Sequence, residues 1–202
     1  MPGPRKWYRT RASAGWRVES LTQRDFQLQI ETLLTAKRFS VERVTQRFTD
    51  GQSFTREVVR HRGAVVIVPV LDDGRICLIR NYRVAVDREL LELPAGTLES
   101  GEPPIETARR ELIEETGYVA GEMTPLLEFY MSPGILDERM FAFVATGLVA
   151  GPPAREAGEQ IENYLVSPSE LDGLLLNGHI QDSKSLSAIL YHRHVYSGHP
   201  AS

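Results

Sequence analysis

The stretch from Gly96 to Tyr118 constrains this chain more than any other part of it. Its acidic cluster consists of Glu102, Glu111, Glu114 and Glu115. A helix advances by about 100° per residue, so the last three carboxylates share one flank, where like charges repel by roughly 0.2–0.5 kcal/mol per pair. Such a cluster is typical either of a solvated acidic face or of a site for a hard cation with oxygen ligands, Mg²⁺ or Mn²⁺.

The neighbouring residues predict where this helix begins, which side it buries and where it ends. Pro103 and Pro104 suit a first turn, where a missing N–H costs little. Ala108 and Leu112 form a narrow apolar stripe opposite the carboxylates. Gly117 stands where a residue in the left-handed conformation commonly ends a helix. A loop, a short acidic helix and a second loop are therefore expected.

The spacing within this stretch resembles the Nudix box, a loop–helix–loop signature of hydrolases that act on nucleoside diphosphates linked to another moiety. The matching polar and glycine positions are Gly96, Glu102, Arg110, Glu111, Glu114, Glu115 and Gly117. The resemblance implies an α+β fold, the Nudix α/β/α sandwich around a mixed sheet. It also implies metal-dependent hydrolysis, with Gly96, Glu102 and Gly117 in structural roles.

The resemblance further implies a catalytic centre that holds two or three Mg²⁺ ions, with Mn²⁺ as the alternative. Its implied metal ligands are the Ala95 carbonyl and the carboxylates of Glu111, Glu115 and Glu114. Its implied catalytic residues are Glu159, Glu115, Glu114 and Arg110, of which Arg110 braces the helix. The general base is expected on a loop after the last sheet strands, where Glu159 matches best and Glu156 and Glu162 are alternatives.

A second motif narrows the resemblance to one subgroup. Pro133 lies sixteen residues after Gly117, within a Ser-Pro-Gly segment that is followed by Glu138, and this resembles the ADP-ribose pyrophosphatases. The implied reaction is hydrolysis of the pyrophosphate of ADP-ribose to AMP and ribose 5-phosphate. Two alternatives stay open. The substrate could be another nucleoside diphosphate sugar or a dinucleotide, or the protein could be a sensor that binds nucleotide without turnover.

The same resemblance assigns substrate contacts outside the acidic helix. Arg83 matches an arginine that contacts the diphosphate, a role that suits the planar guanidinium. Phe39 is the candidate for stacking on adenine, and Glu138 is expected to face the terminal ribose or the metal region. Arg56 or Arg60 is expected to reach the site of a partner subunit.

The chain is expected to have two parts, residues 1–60 with a tail and a β-rich dimerisation piece, and residues 61–202 with the hydrolase domain. Asp50-Gly51 between two apolar runs predicts a hairpin, and a phase slip in its first strand suggests a bulge there. Residues 26–34 have mixed spacing and receive no firm assignment. The resembled family exchanges this piece between subunits, so a homodimer is expected.

Composition restricts the remaining possibilities. A formal net charge of −4 argues against general nucleic-acid binding and against a basic membrane-anchoring patch. The single cysteine, Cys77, excludes an intrachain disulfide and lies in an apolar strand pattern that suggests burial. The first residues lack the apolar run of a signal peptide, and no stretch reaches transmembrane length. We therefore expect a cytoplasmic protein whose partners are a nucleotide substrate and a second copy of itself.

Overall fold

The computed structural model describes residues 26–154 and 161–196. Its strands are β1 (Phe26–Thr35), β2 (Phe39–Phe48), β3 (Ser53–His61), β4 (Ala64–Pro69), β5 (Ile76–Arg83), β6 (Arg88–Glu92), β7 (Ala95–Thr97), β8 (Tyr118–Tyr130), β9 (Arg139–Ala150) and β10 (Ile161–Val166). Its helices are α1 (Pro104–Thr116), α2 (Pro168–Leu176) and α3 (Ser183–Tyr196). Strands and helices mix along the chain, which confirms the expected α+β class.

The central sheet is mixed, with strand order β7-β4-β9-β8. Strand β4 is entirely buried, and four of its six residues are valine or isoleucine, as expected for a strand that is covered on both faces. It pairs in parallel with β9 from Ala64↔Met140 to Pro69↔Ala145, whereas β7 and β8 pair antiparallel with their neighbours. A second sheet, β10-β5-β6, lies beside it.

Helices cover the two faces of the central sheet and make it the middle layer of a sandwich. Val66 of β4 belongs to the apolar cluster that contains Ala188 and Ile189 of α3. Val65, whose side chain points to the other face, belongs to the cluster that contains Leu112 of α1. The α/β/α arrangement expected from the acidic motif is therefore confirmed, and α1 is fixed to the sheet by its apolar stripe.

Cys77 lies in β5 with no exposed surface, as its apolar neighbours predict. Burial raises the pKa of its thiol to about 12, since the thiolate would lose its hydration. The cysteine is therefore a neutral core residue.

The N-terminal strands form a separate antiparallel sheet, β1-β2-β3. The hairpin predicted at Asp50-Gly51 is present, with Gly51 at a φ of 86°. The prediction of a bulge in β2 is wrong, because β2 pairs with β3 without a shift in register. The irregularity lies in β1, between Thr32 and Leu34. The sheet joins the rest of the chain at Val59, whose N–H donates to the Ile135 carbonyl at 2.8 Å.

Helix α1 ends where the sequence predicts, and α2 and α3 begin at residues suited to a first turn. Gly117 ends α1 in the left-handed conformation, with a φ of 79°. A capping box at Ser167 and Glu170 begins α2, and the Asp182 carboxylate accepts from the Ser185 N–H in the first turn of α3. Within the described ranges, none of the helices combines the length and the apolar character needed to cross a membrane.

Candidate active site

The acidic helix α1 lies directly against the turn that contains β7. The Ala95 N–H donates to Oε2 of Glu115 at 2.9 Å, and Glu115 is only 5% exposed. A Cβ built on Gly96 would lie 1.9 Å from Cδ of Glu111, so only glycine leaves room for that carboxylate. The fold therefore brings the Ala95 backbone and two of the predicted metal ligands into one place.

Arg110 ties the acidic residues together. Its NH1 donates to Glu111 at 2.8 Å and to Glu114 at 2.9 Å, and its NH2 donates to Glu102 at 3.2 Å. Partial burial acts to lower the pKa of Arg110, but the hydrogen bonds and charges of these carboxylates raise it, so it stays a cation. The bonds from Arg110 also lower the pKa of Glu102 and hold it ionised. This geometry fits the bracing role expected for Arg110.

A cleft of about 320 Å³ opens beside the carboxylates. Its acidic lining consists of Glu99, Glu111, Glu114 and Glu115. Its basic lining consists of Lys37, Arg38, Arg62, Arg83 and Arg110, and Asn81, Ala95, Thr97 and Leu98 complete it. A cleft lined by both carboxylates and cations suits a ligand that is bound through a metal and through its own negative charge.

The donor set at this end of the cleft fits a hard divalent cation. Carboxylates and a backbone carbonyl are the oxygen ligands that Mg²⁺ prefers, and the missing side chain of Gly96 gives Glu111 its place beside Ala95. Within the described residues, no three acidic, histidine or cysteine side chains already converge in a metal-binding arrangement. The hydrogen bonds of Arg110 direct Glu111 and Glu114 toward the guanidinium.

Arg83, the predicted diphosphate contact, lines the same cleft, 38% of its side chain exposed. Its Nε and NH2 donate to the two carboxylate oxygens of Glu92 at 2.9 and 2.6 Å. The hydrogen bonding of Arg83 to Glu92 is the largest influence that raises the pKa of Arg83. Burial acts to raise the pKa of Glu92, but Arg83 and Lys184 outweigh it and lower that pKa. Both groups of this pair are therefore charged.

Other predicted substrate contacts lie away from the lining of this cleft. Phe39 is at the start of β2 with 41% of its surface exposed, and Arg56 is exposed on β3. Arg60 pairs with Glu42 at 2.7 Å and with Asp137 at 3.1 Å. Glu138 lies 3.5 Å from Nδ1 of His61. Their roles toward substrate stay predictions.

The structure describes only one of the three candidates for the general base, Glu162. Glu159 and Glu156 lie outside the described residues. Glu162 is exposed on β10, opposite Arg80 of β5. Ala154, the last described residue before this gap, donates its N–H to the Glu114 carbonyl of α1 at 3.2 Å. The assignment of Glu159 therefore stays a prediction.

Several cleft residues were not predicted from the sequence. Lys37 and Arg38 lie between β1 and β2, Arg62 precedes β4, and Glu92 is buried behind Arg83. Arg62 lies in an Arg-Gly-Ala-Val segment that resembles the corresponding segment of ADP-ribose pyrophosphatases, so the sequence did contain an indication of its role. For Lys37 and Arg38 the sequence contained no indication beyond their charge, because they are far from the acidic helix in sequence although they line the same cleft.

Comparison with known proteins agrees with this geometry. The family profile described as the NUDIX domain matches residues 60–189, which include α1 and all strands of the central sheet and of the β10-β5-β6 sheet. The chain belongs to the Nudix family. Nudix hydrolases generally use divalent metals such as Mg²⁺.

Two curated relatives and one solved structure extend the comparison. The chain is 39% identical over 144 residues to the ADP-ribose pyrophosphatase of Bacillus subtilis (strain 168), covering 70% of this chain and 78% of the relative. It is 37% identical over 182 residues to the ADP-ribose pyrophosphatase of Mycobacterium tuberculosis, covering 88% of each. The crystal structure of an ADP compounds hydrolase superposes with a TM-score of 0.77 at 28% identity, covering 89% of this chain and 98% of that one.

Proposed function

We propose that this protein hydrolyses the pyrophosphate bond of ADP-ribose, with Mg²⁺, to AMP and ribose 5-phosphate. The observation that carries the proposal is the intact acidic centre beside Ala95, in a cleft that is also lined by cations. Both curated relatives described above carry the name of this activity. A binding module without turnover would not need an intact set of carboxylates at this point.

Both the carboxylates and the cations that line the cleft have a part in the proposed reaction. Two or three Mg²⁺ ions held by the Ala95 carbonyl, Glu111, Glu115 and Glu114 would supply charge neutralisation at the diphosphate and activation of the attacking water. Arg83 donates to the diphosphate oxygens and orients them. Arg110 and Glu102 keep α1 and its carboxylates in place.

A general base completes the proposal. Glu159 takes the proton of the attacking water, with Glu156 and Glu162 as the alternatives to be tested. Ala154, the last described residue before this segment, donates its N–H to the Glu114 carbonyl of α1, and this contact supports the choice of the segment. Replacing each of these glutamates by glutamine identifies the base as the one whose loss lowers kcat most and removes the acidic limb of the pH profile.

The experiment that tests the activity measures hydrolysis with Mg²⁺ across ADP-ribose, UDP-glucose, GDP-mannose, NADH and diadenosine polyphosphates. Glu115→Gln is assayed in parallel, and we expect it to lose at least about a thousandfold in kcat because an oxygen ligand of the metal loses its charge. Arg75→Gln, at an exposed turn remote from the cleft, is the control that should keep full activity.

The outcomes of this assay separate the candidate functions. Selective turnover of ADP-ribose that disappears in Glu115→Gln supports the proposal. Preference for another nucleotide sugar or a dinucleotide would retain the chemistry and change the substrate. Binding of ADP-ribose without turnover of any compound would identify a sensor and reject the enzyme.

We also propose that the protein is a homodimer whose β1-β2-β3 sheet contacts the partner subunit, with the chain divided near residue 60. Apolar side chains stand exposed on this sheet, with Ile30 52% and Phe54 50% exposed. Exposed apolar surface of this kind commonly marks a protein interface. A partner seated there would bring residues such as Phe39, Arg56 and Arg60 toward a nucleotide.

A further inference from the structure

Glu92 is a buried carboxylate that the reaction itself does not use. It is 1% exposed and lies at the end of β6, just before the Leu93-Pro94-Ala95 segment that leads into the site. A buried carboxylate is costly unless cations and hydrogen bonds compensate for its lost hydration. Here the compensation comes from two cations, Arg83 and Lys184. Their nitrogens lie 2.6 and 2.7 Å from the same oxygen, Oε2 of Glu92.

The second cation belongs to a network in the first turn of α3. Nζ of Lys184 also lies 2.8 Å from the Asp182 carboxylate, which accepts from the Ser185 hydroxyl at 2.6 Å. Oγ of Ser185 in turn accepts from the Leu93 N–H at 2.8 Å. The start of α3 is thereby bonded both to the side chain of Glu92 and to the backbone that follows it.

We infer that Lys184, acting through Glu92, is a positioning residue for Arg83. The inference rests on the proposed function, in which Arg83 contacts the diphosphate. Glu92 accepts two parallel bonds from the guanidinium, which fix its plane as well as its place. Lys184 donates to Oε2 of that carboxylate, the oxygen that also accepts from NH2 of Arg83, and 12% of the Lys184 side chain is exposed. Lys184 is absent from the residues that line the cleft in the described chain, so its effect passes through its neighbours.

The physical consequence of losing Lys184 is a less constrained arginine. With one cation gone, Glu92 would have to keep its buried charge with Arg83 alone, and both side chains gain rotational freedom. A displacement of about 1 Å in a positioned group can cost about a hundredfold in rate. Because Arg83 binds the diphosphate before and during the reaction, the loss should appear mainly in KM.

The test is a double-mutant cycle of Lys184→Met with Arg83→Ala. Methionine keeps much of the apolar stem of lysine and removes its charge. We expect Lys184→Met alone to lower kcat/KM for ADP-ribose about tenfold, chiefly through KM. In the Arg83→Ala background the same change should cost less than about twofold, because the group it positions is absent. Lys184→Arg should recover most of the lost kcat/KM.

A matched control lies on the same helix. Arg193 of α3 pairs with Asp172 of α2 at 2.6 Å, away from the cleft. Arg193→Met removes a cation and an ion pair without reaching Glu92, so it should leave KM unchanged. The thermal midpoint of every variant, followed by circular dichroism, shows whether the changes in KM track with stability.

Calorimetric titration of the same proteins with ADP-ribose in metal-free buffer separates the two proposals. Equal costs of Lys184→Met with and without Arg83, or no cost at all, would overturn the positioning role. Wild-type protein that binds ADP-ribose without hydrolysing it with Mg²⁺ would overturn the proposed function, and the binding cycle would still decide the role of Lys184. Failure of the wild-type protein to bind or hydrolyse ADP-ribose would overturn both.

Discussion

At the scale of single residues, the site depends on an absent side chain as much as on charged ones. Gly96 has an ordinary backbone conformation, so glycine is required here because there is no room for a Cβ, and not because of its φ angle. The carboxyl group of Glu111 occupies the volume that a Cβ would need, with two atoms only 1.9 Å from it. Gly96 therefore leaves the space that the carboxylate of Glu111, the proposed metal ligand, occupies.

Substitution of Gly96 by alanine tests this reading. We expect Gly96→Ala to displace the Glu111 carboxylate and to lower kcat by about a hundredfold, the scale of a misplacement near 1 Å. The measurement is steady-state hydrolysis of ADP-ribose over a range of Mg²⁺ concentrations. The apparent affinity for Mg²⁺ should fall together with kcat.

Gly173→Ala is the matched control for that substitution. Gly173 lies in α2, where an added Cβ would meet no atom within 4 Å. Alanine is favoured over glycine inside a helix by about 0.5–1 kcal/mol, so this variant should be slightly more stable and fully active. Unchanged kcat and metal dependence in Gly96→Ala would show that Glu111 is not held in this way.

Roles that depend on residues close together in the sequence could be predicted, whereas roles that depend on residues far apart in the sequence could not. Arg110 and Glu114 are four residues apart on one helix, and their predicted contact is present at 2.9 Å. The contact of Glu92 with Lys184 joins β6 to α3, 92 residues away. No periodicity or local motif encodes such a pair, because it exists only once the sheet and the helix have packed together.

At the scale of secondary-structure elements, α2 depends on its cap more than the longer helices do. It has nine residues and a single buried one, Leu171. The Ser167 hydroxyl accepts from the Glu170 N–H, and the Glu170 carboxylate accepts from the Ser167 N–H at 2.8 Å. These bonds satisfy two donors that the first turn would otherwise leave without partners.

Removal of the cap should therefore destabilise the protein without affecting catalysis. We expect Ser167→Ala to lower the free energy of unfolding by about 1 kcal/mol, as measured by urea denaturation. Ser169→Ala, which removes a hydroxyl from the same turn without removing the cap, should change it by less than about 0.5 kcal/mol. Equal effects of the two substitutions would argue against the cap as the cause.

Strand β1 shows where an element escapes sequence analysis. Phe26, Leu28 and Ile30 alternate with polar residues, as a strand requires. The register shift between Thr32 and Leu34 then breaks the alternation, so the whole segment has mixed spacing. Its strand character becomes evident only from its pairing with β2.

At the scale of the whole molecule, the N-terminal sheet gives a prediction about assembly. We expect wild-type protein to sediment as a dimer and Ile30→Lys to raise the dimer dissociation constant about ten- to a hundredfold. A buried isoleucine contributes about 1.5–3 kcal/mol, and a lysine would place a charge in the interface. Ile30 is 52% exposed in the single chain, so the folded monomer should tolerate the change.

Leu176→Lys supplies the comparison, since Leu176 at the end of α2 is 87% exposed and lies away from that sheet. It should leave the dimer intact. Sedimentation velocity over a range of protein concentrations distinguishes the two variants. A wild-type protein that remains monomeric at every concentration would reject the proposed assembly.

The parallel pairing of β4 with β9 affects how the protein is made. Ala64 pairs with Met140, so the centre of the sheet cannot close until a long intervening segment has been synthesised. Contacts between distant parts of a chain form slowly because the loop between them must first be closed. Lys184, which contacts Glu92, leaves the ribosome later still. We therefore expect a nascent chain to acquire its cleft only near the end of translation, with its valine-rich strands in need of chaperone protection until then.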